Sequence, residues 1–285
     1  MSILVSVLTP SRSYGRFIGD AVTSVAGQTD VNVEHIVQDA QSDDETTALL
    51  AAAGDRVRWR SEPDFGQSDA LNRALTRARG DWIAWLNADE FYLPSALSSL
   101  VAAADETGAD VLYGDAVFVD EDGRLLRLLP QHGFRHSTLR MYGAFIASST
   151  VLIRREALTV DPWDPSLRRI MDWDLYLKLA RAGARFLHLA RPIGAFRVHD
   201  ARVTARPPSD FASEYDTVRK RYQLRRGAAA LAGGKLAHAF QKAAAGAYGR
   251  QLHARGLRGE DLKWFRDPRG HAAFERLQQI AYARS

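Results

Sequence analysis

Four short apolar runs, each divided from the next by a helical pattern, fill the first third of the chain and restrict what it can fold into. Ile3–Leu8 is rich in β-branched residues and stops at "TPSRS"; Phe17, Ile18, Ala21, Val22 and Val25 then recur at helical spacing. "VNVEHIVQ" reads as the second strand. It precedes "SDDETTALLAAAG", where Ser42 or Asp43 is placed to cap a helix that starts acidic and ends at Gly54. "VRWRSE", the helical "SDALNRALTRARG" and the strand "WIAWL" complete the series, and Pro94 suits the first turn of a further helix. A βαβαβαβ order needs crossover connections, so it predicts a parallel sheet with helices on its faces. Such sheets bind ligands beyond the carboxyl ends of their strands. Thr9–Pro10, Asp39, Glu62–Asp64 and Asn87–Glu90 all fall at those ends.

The second part reads as mixed. "ADVLYGDAVFVDEDGRLLRLL" predicts two strands around a "DEDG" turn, and "STVLIRR" another strand. "MDWDLYLKLARAG" predicts a helix with an acidic start and a glycine stop, and "ARFLHL" and "IGAFRVH" two further strands. "ARPPSD" breaks the pattern, and the Ala/Arg-rich remainder reads as helical, ending in "GHAAFERLQQIAYARS" with one apolar face. The expected organisation is an α/β domain over 1–205 and a basic helical extension over 206–285.

With 285 residues, 46% of them hydrophobic, the chain can bury a full core. It has no cysteine, which excludes disulfides, zinc–thiolate sites, iron–sulfur clusters and cysteine nucleophiles. The N-terminus lacks a signal-peptide pattern and no uncharged apolar stretch of about 18 residues occurs, so a soluble cytoplasmic protein is expected. Charge is uneven. Residues 1–204 carry 22 Lys and Arg against 27 Asp and Glu, and residues 205–285 carry 16 against 7. A basic tail on an acidic body points to an anionic partner, whether membrane surface, nucleic acid or phosphorylated substrate, or to an ordinary solvated helical surface.

Within "GDWIAWLNADE" a buried strand ends in oxygen donors, Asn87, Asp89 and Glu90. Carboxylate and amide oxygens suit magnesium or manganese, whose sites use one or two carboxylates and leave room for substrate phosphates. No GxxxxGK[ST] occurs and no GxGxxG follows the first strand, so a P-loop and the common dinucleotide fold are disfavoured.

These blocks resemble family 2 glycosyltransferases of the GT-A fold. "VLTPSRSYGRFIGDAVTSVAGQT" is similar to the family's strand ending in T-P and its helix ending S-V-x-x-Q-T. "VEHIVQDAQSDDETTALL" is similar to the strand that closes on an aspartate before S-x-D-x-T. "SEPDFGQSDALNRALTRARGDWIAWLNADE" resembles the block that ends on the D-x-D-type motif, "RRIMDWDLYLKLARAG" the segment with the catalytic aspartate, and "FRVH" the terminal metal-site histidine motif. The resemblance covers residues 3–204. It implies a GT-A (nucleotide-diphospho-sugar transferase, Rossmann-like) domain with a mostly parallel central sheet. It also implies an inverting transfer, dependent on Mn2+ or Mg2+, from a nucleotide-sugar donor to an acceptor hydroxyl, in cell-surface glycan or glycosylated-metabolite biosynthesis.

Carried over position by position, Thr9 and Pro10 match the loop contacting the nucleotide, Asp39 the aspartate that hydrogen-bonds the base, and Gln67, Asn87 and Ala88 donor-binding positions. Asp89 matches the last position of the D-x-D motif, which binds the cation bridging the donor diphosphate. Asn87 departs from the first aspartate of that motif and, as a weak cation ligand, is left to hydrogen-bond ribose or sugar. Asp172 matches the general base, with Asp174 the alternative helix-terminus carboxylate, and His199 a metal or diphosphate ligand. Trp173 is a candidate for stacking on an acceptor sugar, whereas Trp82 and Trp85 read as core. The implied acceptor is a glycan, a lipid-linked molecule or a small molecule, and no nucleic-acid partner is expected. For the basic extension, peripheral membrane contact and homodimerisation both stay open. So do two other readings of the whole chain, a nucleotidyltransferase and a non-catalytic nucleotide- or glycan-binding scaffold.

Overall fold

A computed structural model of the chain describes residues 4–200, 207–224 and 227–282. Strands and helices alternate at first as expected: β1 (Leu4–Ser11), α1 (Gly15–Ala26), β2 (Asn32–Asp39), α2 (Thr46–Ala52), β3 (Arg58–Ser61), α3 (Gln67–Arg77) and β4 (Trp82–Trp85). They are followed by β5 (Phe91–Tyr92), α4 (Ala96–Thr107), β6 (Val111–Val119), β7 (Leu125–Leu129), α5 (His136–Tyr142), β8 (Val151–Arg154), α6 (Met171–Arg181) and β9 (Phe186–Arg197). Last come α7 (Ala212–Arg221), α8 (Ala228–Ala244), α9 (Ala247–His253) and α10 (Pro268–Tyr282).

The strands form one sheet in the order β3-β2-β1-β4-β8-β6-β9-β5, with β7 also on β6. The first four are mutually parallel, β8 runs antiparallel to both β4 and β6, and β9 is parallel to β6. Register lines up the strand ends: Ser11 pairs with Asp39, and Asp39 with Ser61. The polar residues that end the apolar runs therefore form one rim.

Strand periodicity explains why "WIAWL" is apolar throughout. Trp82 and Ala84 face one layer with Val5, Val7 and the helices α1 and α4, while Ile83 and Trp85 face the opposite layer with Leu8, Ile36 and Leu71. A third apolar cluster joins Phe91, Val117 and Leu128 to Leu257, Phe274 and Leu277, so the C-terminal helices share a core with the sheet. The expected boundary at 205–206 lies outside the described residues.

"ARFLHL" and "IGAFRVH" are not two strands but the single twelve-residue β9. The intervening Pro192 is tolerated because the β6–β9 register shifts beside Gly114. A Cβ on Gly114 would lie 2.3 Å from Ile193 Cγ1 and 2.7 Å from the Arg191 carbonyl oxygen, so only glycine permits the approach. Two short elements, β5 and α5, had no clear sequence signal.

Candidate active site

A cleft of about 320 Å³ opens beyond the carboxyl ends of β1 and β4. Its walls draw on the end of β1 and the turn after it (Pro10, Ser11, Arg12 and Tyr14), Asp64–Gln67 before and into α3, Asn87–Asp89 after β4, Ala147–Ser148, and Arg168–Asp172 leading into α6, with Ala40 and Phe196 adding to them. Parallel β1 and β4 bring the first and third together. The antiparallel β8 returns the chain so that the loop before it forms the facing side.

Asn87 is held rigidly. Its Oδ1 accepts hydrogen bonds from Gln67 Nε2 at 2.6 Å and Trp85 Nε1 at 2.8 Å, which occupies both lone pairs and leaves none for a cation. Glu90, 1% exposed, accepts the Asn87 backbone N–H at 3.1 Å. Burial, reinforced by neighbouring Asp89, pushes its carboxyl well above the usual carboxylate range. Among the acidic pair after β4, Asp89 alone lines the cleft.

Asp89 Oδ2 lies 2.8 Å from His199 Nε2, so the structure joins the two residues that the sequence analysis nominated as metal ligands. Phe17 packs on the His199 ring at 4.9 Å between centroids. The backbone beneath is fixed by Arg197, 1% exposed, whose Nε donates to the Asp89 carbonyl at 2.9 Å. The same guanidinium donates to the Glu121 carbonyl and, at 2.7 Å, to Asp20 Oδ2. Asp20 Oδ1 in turn accepts from Arg266 Nε at 3.0 Å. Among the described residues no group of three or more His, Asp or Glu converges as a ligand set. One carboxylate and one imidazole fit a cation whose other positions are completed by phosphate oxygens and water.

Asp172 stands in the first turn of α6, on the same cleft. Its Oδ1 accepts the Trp173 N–H at 2.7 Å. The helix N-terminus favours the anion, yet burial dominates and raises its pKa from 3.8 to about 6. Asp174, two residues on, is fully buried and paired with Arg221 at 2.6 Å and Lys178 at 2.9 Å, which ties α6 to α7. Trp173 is 4% exposed and donates from Nε1 to the Leu139 carbonyl. It belongs to the core and is not exposed for sugar stacking, because its first-turn position on α6 faces α5.

The other expected donor contacts divide. Pro10, Gln67, Asn87 and Ala88 line the cleft. Thr9 and Asp39 are both fully buried behind its wall. Thr9 Oγ1 meets His35 Nε2 at 2.8 Å, and Asp39 accepts hydrogen bonds from both Ser42 and Ser61, the latter at 2.6 Å. In the wall stands Ser11, 5% exposed, whose Oγ has no hydrogen-bond partner among the described residues. Cleft-lining Arg12, Asp64, Arg168 and Arg169 were not singled out as site residues. The basic doublet ahead of "MDWD" was the signal for Arg168 and Arg169, and the strand-end position of Glu62–Asp64 that for Asp64.

An α/β sheet with its cleft at a rim of aligned strand ends has the layout in which ligands bind beyond the carboxyl ends of the strands. Residues 6–159 match Glycosyl transferase family 2. The chain belongs to this family. A Rickettsia bellii (strain RML369-C) protein described as an uncharacterized glycosyltransferase is 27% identical over 192 residues, which is 64% of this chain and 28% of that protein. The chain thus spans little more than a quarter of that relative. Among solved structures, S. aureus TarS 1-349 in complex with UDP-GlcNAc has a TM-score of 0.63 at 18% identity, covering 99% of this chain and 82% of TarS 1-349. Mannosyltransferase PcManGT from Pyrobaculum calidifontis, in complex with GDP-Man and Mn2+, has a TM-score of 0.60 at 15% identity, covering 100% and 89%. The fold is that of the GT-A glycosyltransferases.

Proposed function

We propose that the protein transfers a sugar from a nucleoside-diphosphate donor to an acceptor hydroxyl with inversion at the anomeric carbon. The observation that carries this reading is the meeting on one cleft of Asp172 and Asp89, more than eighty residues apart in sequence, with His199 paired to Asp89. Family membership and the nucleotide sugars bound by TarS and PcManGT support the donor class.

In this mechanism Asp172 takes the proton of the acceptor hydroxyl. The hydroxyl oxygen forms its bond to the anomeric carbon as the bond from that carbon to the diphosphate oxygen breaks, and the nucleoside diphosphate leaves. A carboxylate of pKa about 6 is a stronger base than an ordinary aspartate and is still mostly ionised at neutral pH. Asp89 and His199 would hold Mn2+ or Mg2+, which supplies positive charge against the leaving group. Arg12, Arg168 and Arg169 add cationic side chains to the same cleft. Asn87, its carbonyl fixed by Gln67 and Trp85, presents its amide N–H groups to donor oxygens.

The test is a thermal-shift screen of UDP, GDP, dTDP and CMP with and without manganese. At 100 times its dissociation constant a ligand adds about 2.7 kcal/mol, an easily read shift. One nucleotide is expected to stabilise the protein only with metal, and Asp89→Ala is expected to abolish that dependence. A full metal-dependent shift in Asp89→Ala would refute the cation assignment, and no shift with any nucleotide would refute the donor.

A further inference from the structure

One stretch of the C-terminal region has a charge pattern that the transferase reading does not use. Residues 217–259 contain ten Lys and Arg and not one Asp or Glu. Helix α8 occupies the middle of it and packs on α5 through a close approach, where a Cβ on Gly234 would stand 2.6 Å from the Met141 backbone. The helix faces outward along Ala232, Leu236, Phe240 and Ala243, spaced to form one stripe, and no hydrogen-bonding side chain lies on it. Leu236 is 72% exposed and Phe240 74%. On α9, Tyr248 and Leu252 repeat the motif at a spacing of four, 48% and 58% exposed.

A water-facing helix of this kind leaves large apolar side chains unburied without a structural return. The cations of the same stretch, Lys235 next to Leu236 and Arg255 three residues after Leu252 in sequence, explain what would cover them. Lys235, Arg255 and Arg258 are exposed and have no acidic partner among the described residues. Two copies of such a surface facing each other would bring like charges together. An anionic bilayer instead offers both apolar depth for Leu236 and Phe240 and negative charge for the flanking cations.

We propose that α8 and α9 form an interfacial docking surface that lays the protein on anionic lipid. The apolar stripe of α8 enters the headgroup–acyl boundary, and Lys235, Arg255 and Arg258 contact the lipid phosphates. The loop that follows α5, the helix beneath α8, supplies Ala147 and Ser148 to the cleft. The inference stands apart from the sugar-transfer reading, since lipid binding is measured without a donor.

The experiment is co-sedimentation of the full chain with vesicles of phosphatidylcholine alone and of phosphatidylcholine with about one-third phosphatidylglycerol. The protein is expected to partition onto the anionic vesicles and to be released by high salt. Leu236→Asp with Phe240→Asp should weaken partitioning about 100-fold, since both side chains lose their burial. Lys235→Glu with Arg255→Glu and Arg258→Glu should do so while leaving the apolar stripe intact. All five positions are exposed, so thermal melts of both variants should match the parent. Equal binding to neutral vesicles, no binding to either kind, or undiminished binding by either variant would overturn the proposal. A lipid-free dimer that dissociates in the Leu236/Phe240 variant would overturn it too, by assigning the face to a second copy.

Discussion

Replacing Asp172 by asparagine separates the demands of catalysis from those of folding. The substitution keeps an oxygen that accepts the Trp173 N–H at 2.7 Å and removes the charge. A tenfold change in proton affinity is worth 1.36 kcal/mol, so raising an aspartate from 3.8 to about 6 means that its ionised form costs the fold up to about 3 kcal/mol. Asp172 keeps some exposure to cleft water, which reduces the expected cost to about 1–2 kcal/mol. The sign follows from proton binding. Between pH 3.8 and about 6 the folded state holds a proton that the unfolded state releases, so this residue's contribution falls as pH rises through that window and is fully unfavourable above it. Asp172→Asn should therefore be more stable than the parent at pH 8 and gain little at pH 3.5, measured by urea unfolding. Transfer should fall by 10² to 10⁴ with donor affinity nearly unchanged, because a general base acts on the transition state. The parent's kcat/KM should drop tenfold per pH unit below about 6. Near-normal turnover in the asparagine variant, or a stability gain independent of pH, would show that this carboxylate is neither the base nor strained by burial.

Asp20→Ala leaves the buried Arg197 guanidinium without its counter-charge, which should cost about 3–5 kcal/mol in thermal or urea unfolding. In the milder Asp20→Asn, the manganese-dependent donor KM should rise more than kcat falls, since the side chain acts on Asp89 through Arg197; equal effects on both would reject that role. His35 is 3% exposed and, by burial, its pKa drops from 6.5 to about 3. The unfolded state takes up a proton first, so stability is lost as pH falls from 6.5 towards 3, by at most about 5 kcal/mol. His35→Asn should flatten that acid limb in pH-dependent unfolding.

β1 and β4 were legible because their two-faced burial writes largely apolar runs, whereas β2, with Glu34 and His35, and the mostly exposed β3 were marked chiefly by the polar and glycine residues around them. β9 was misread at Arg191–Pro192, since the sequence does not show that a register shift beside Gly114 admits a proline. β5 is two residues long and too short for periodicity to register. Within the site, Asn87 and Asp89 were visible as polar residues that end a buried strand, whereas Asp172 and His199 were named only by the resemblance of their segments to the family's motifs. The burial of Thr9 and Asp39 was not visible, because it depends on His35, Ser42 and Ser61 reaching them from other segments. Trp173 shows the same limit: a tryptophan beside a cleft aspartate has one appearance in sequence whether it faces solvent or Leu139.

Asp20 accepts from Arg197 on one side and from Arg266 on the other, while Trp264 Nε1 reaches the Tyr92 carbonyl at 2.8 Å. Residues close to the C-terminus of this chain thus brace the loop that carries Asp89. Synthesis runs from the other end, so a ribosome-bound chain that has emerged through β9 has its sheet but not this brace. Competence for the nucleotide should be acquired late, after Trp264 and Arg266 have docked. Nucleotide titration of a chain stopped at residue 259 would measure this: undiminished metal-dependent affinity would mean that the brace is dispensable, and weak affinity that Trp264 and Arg266 are needed to finish the site that the sheet begins.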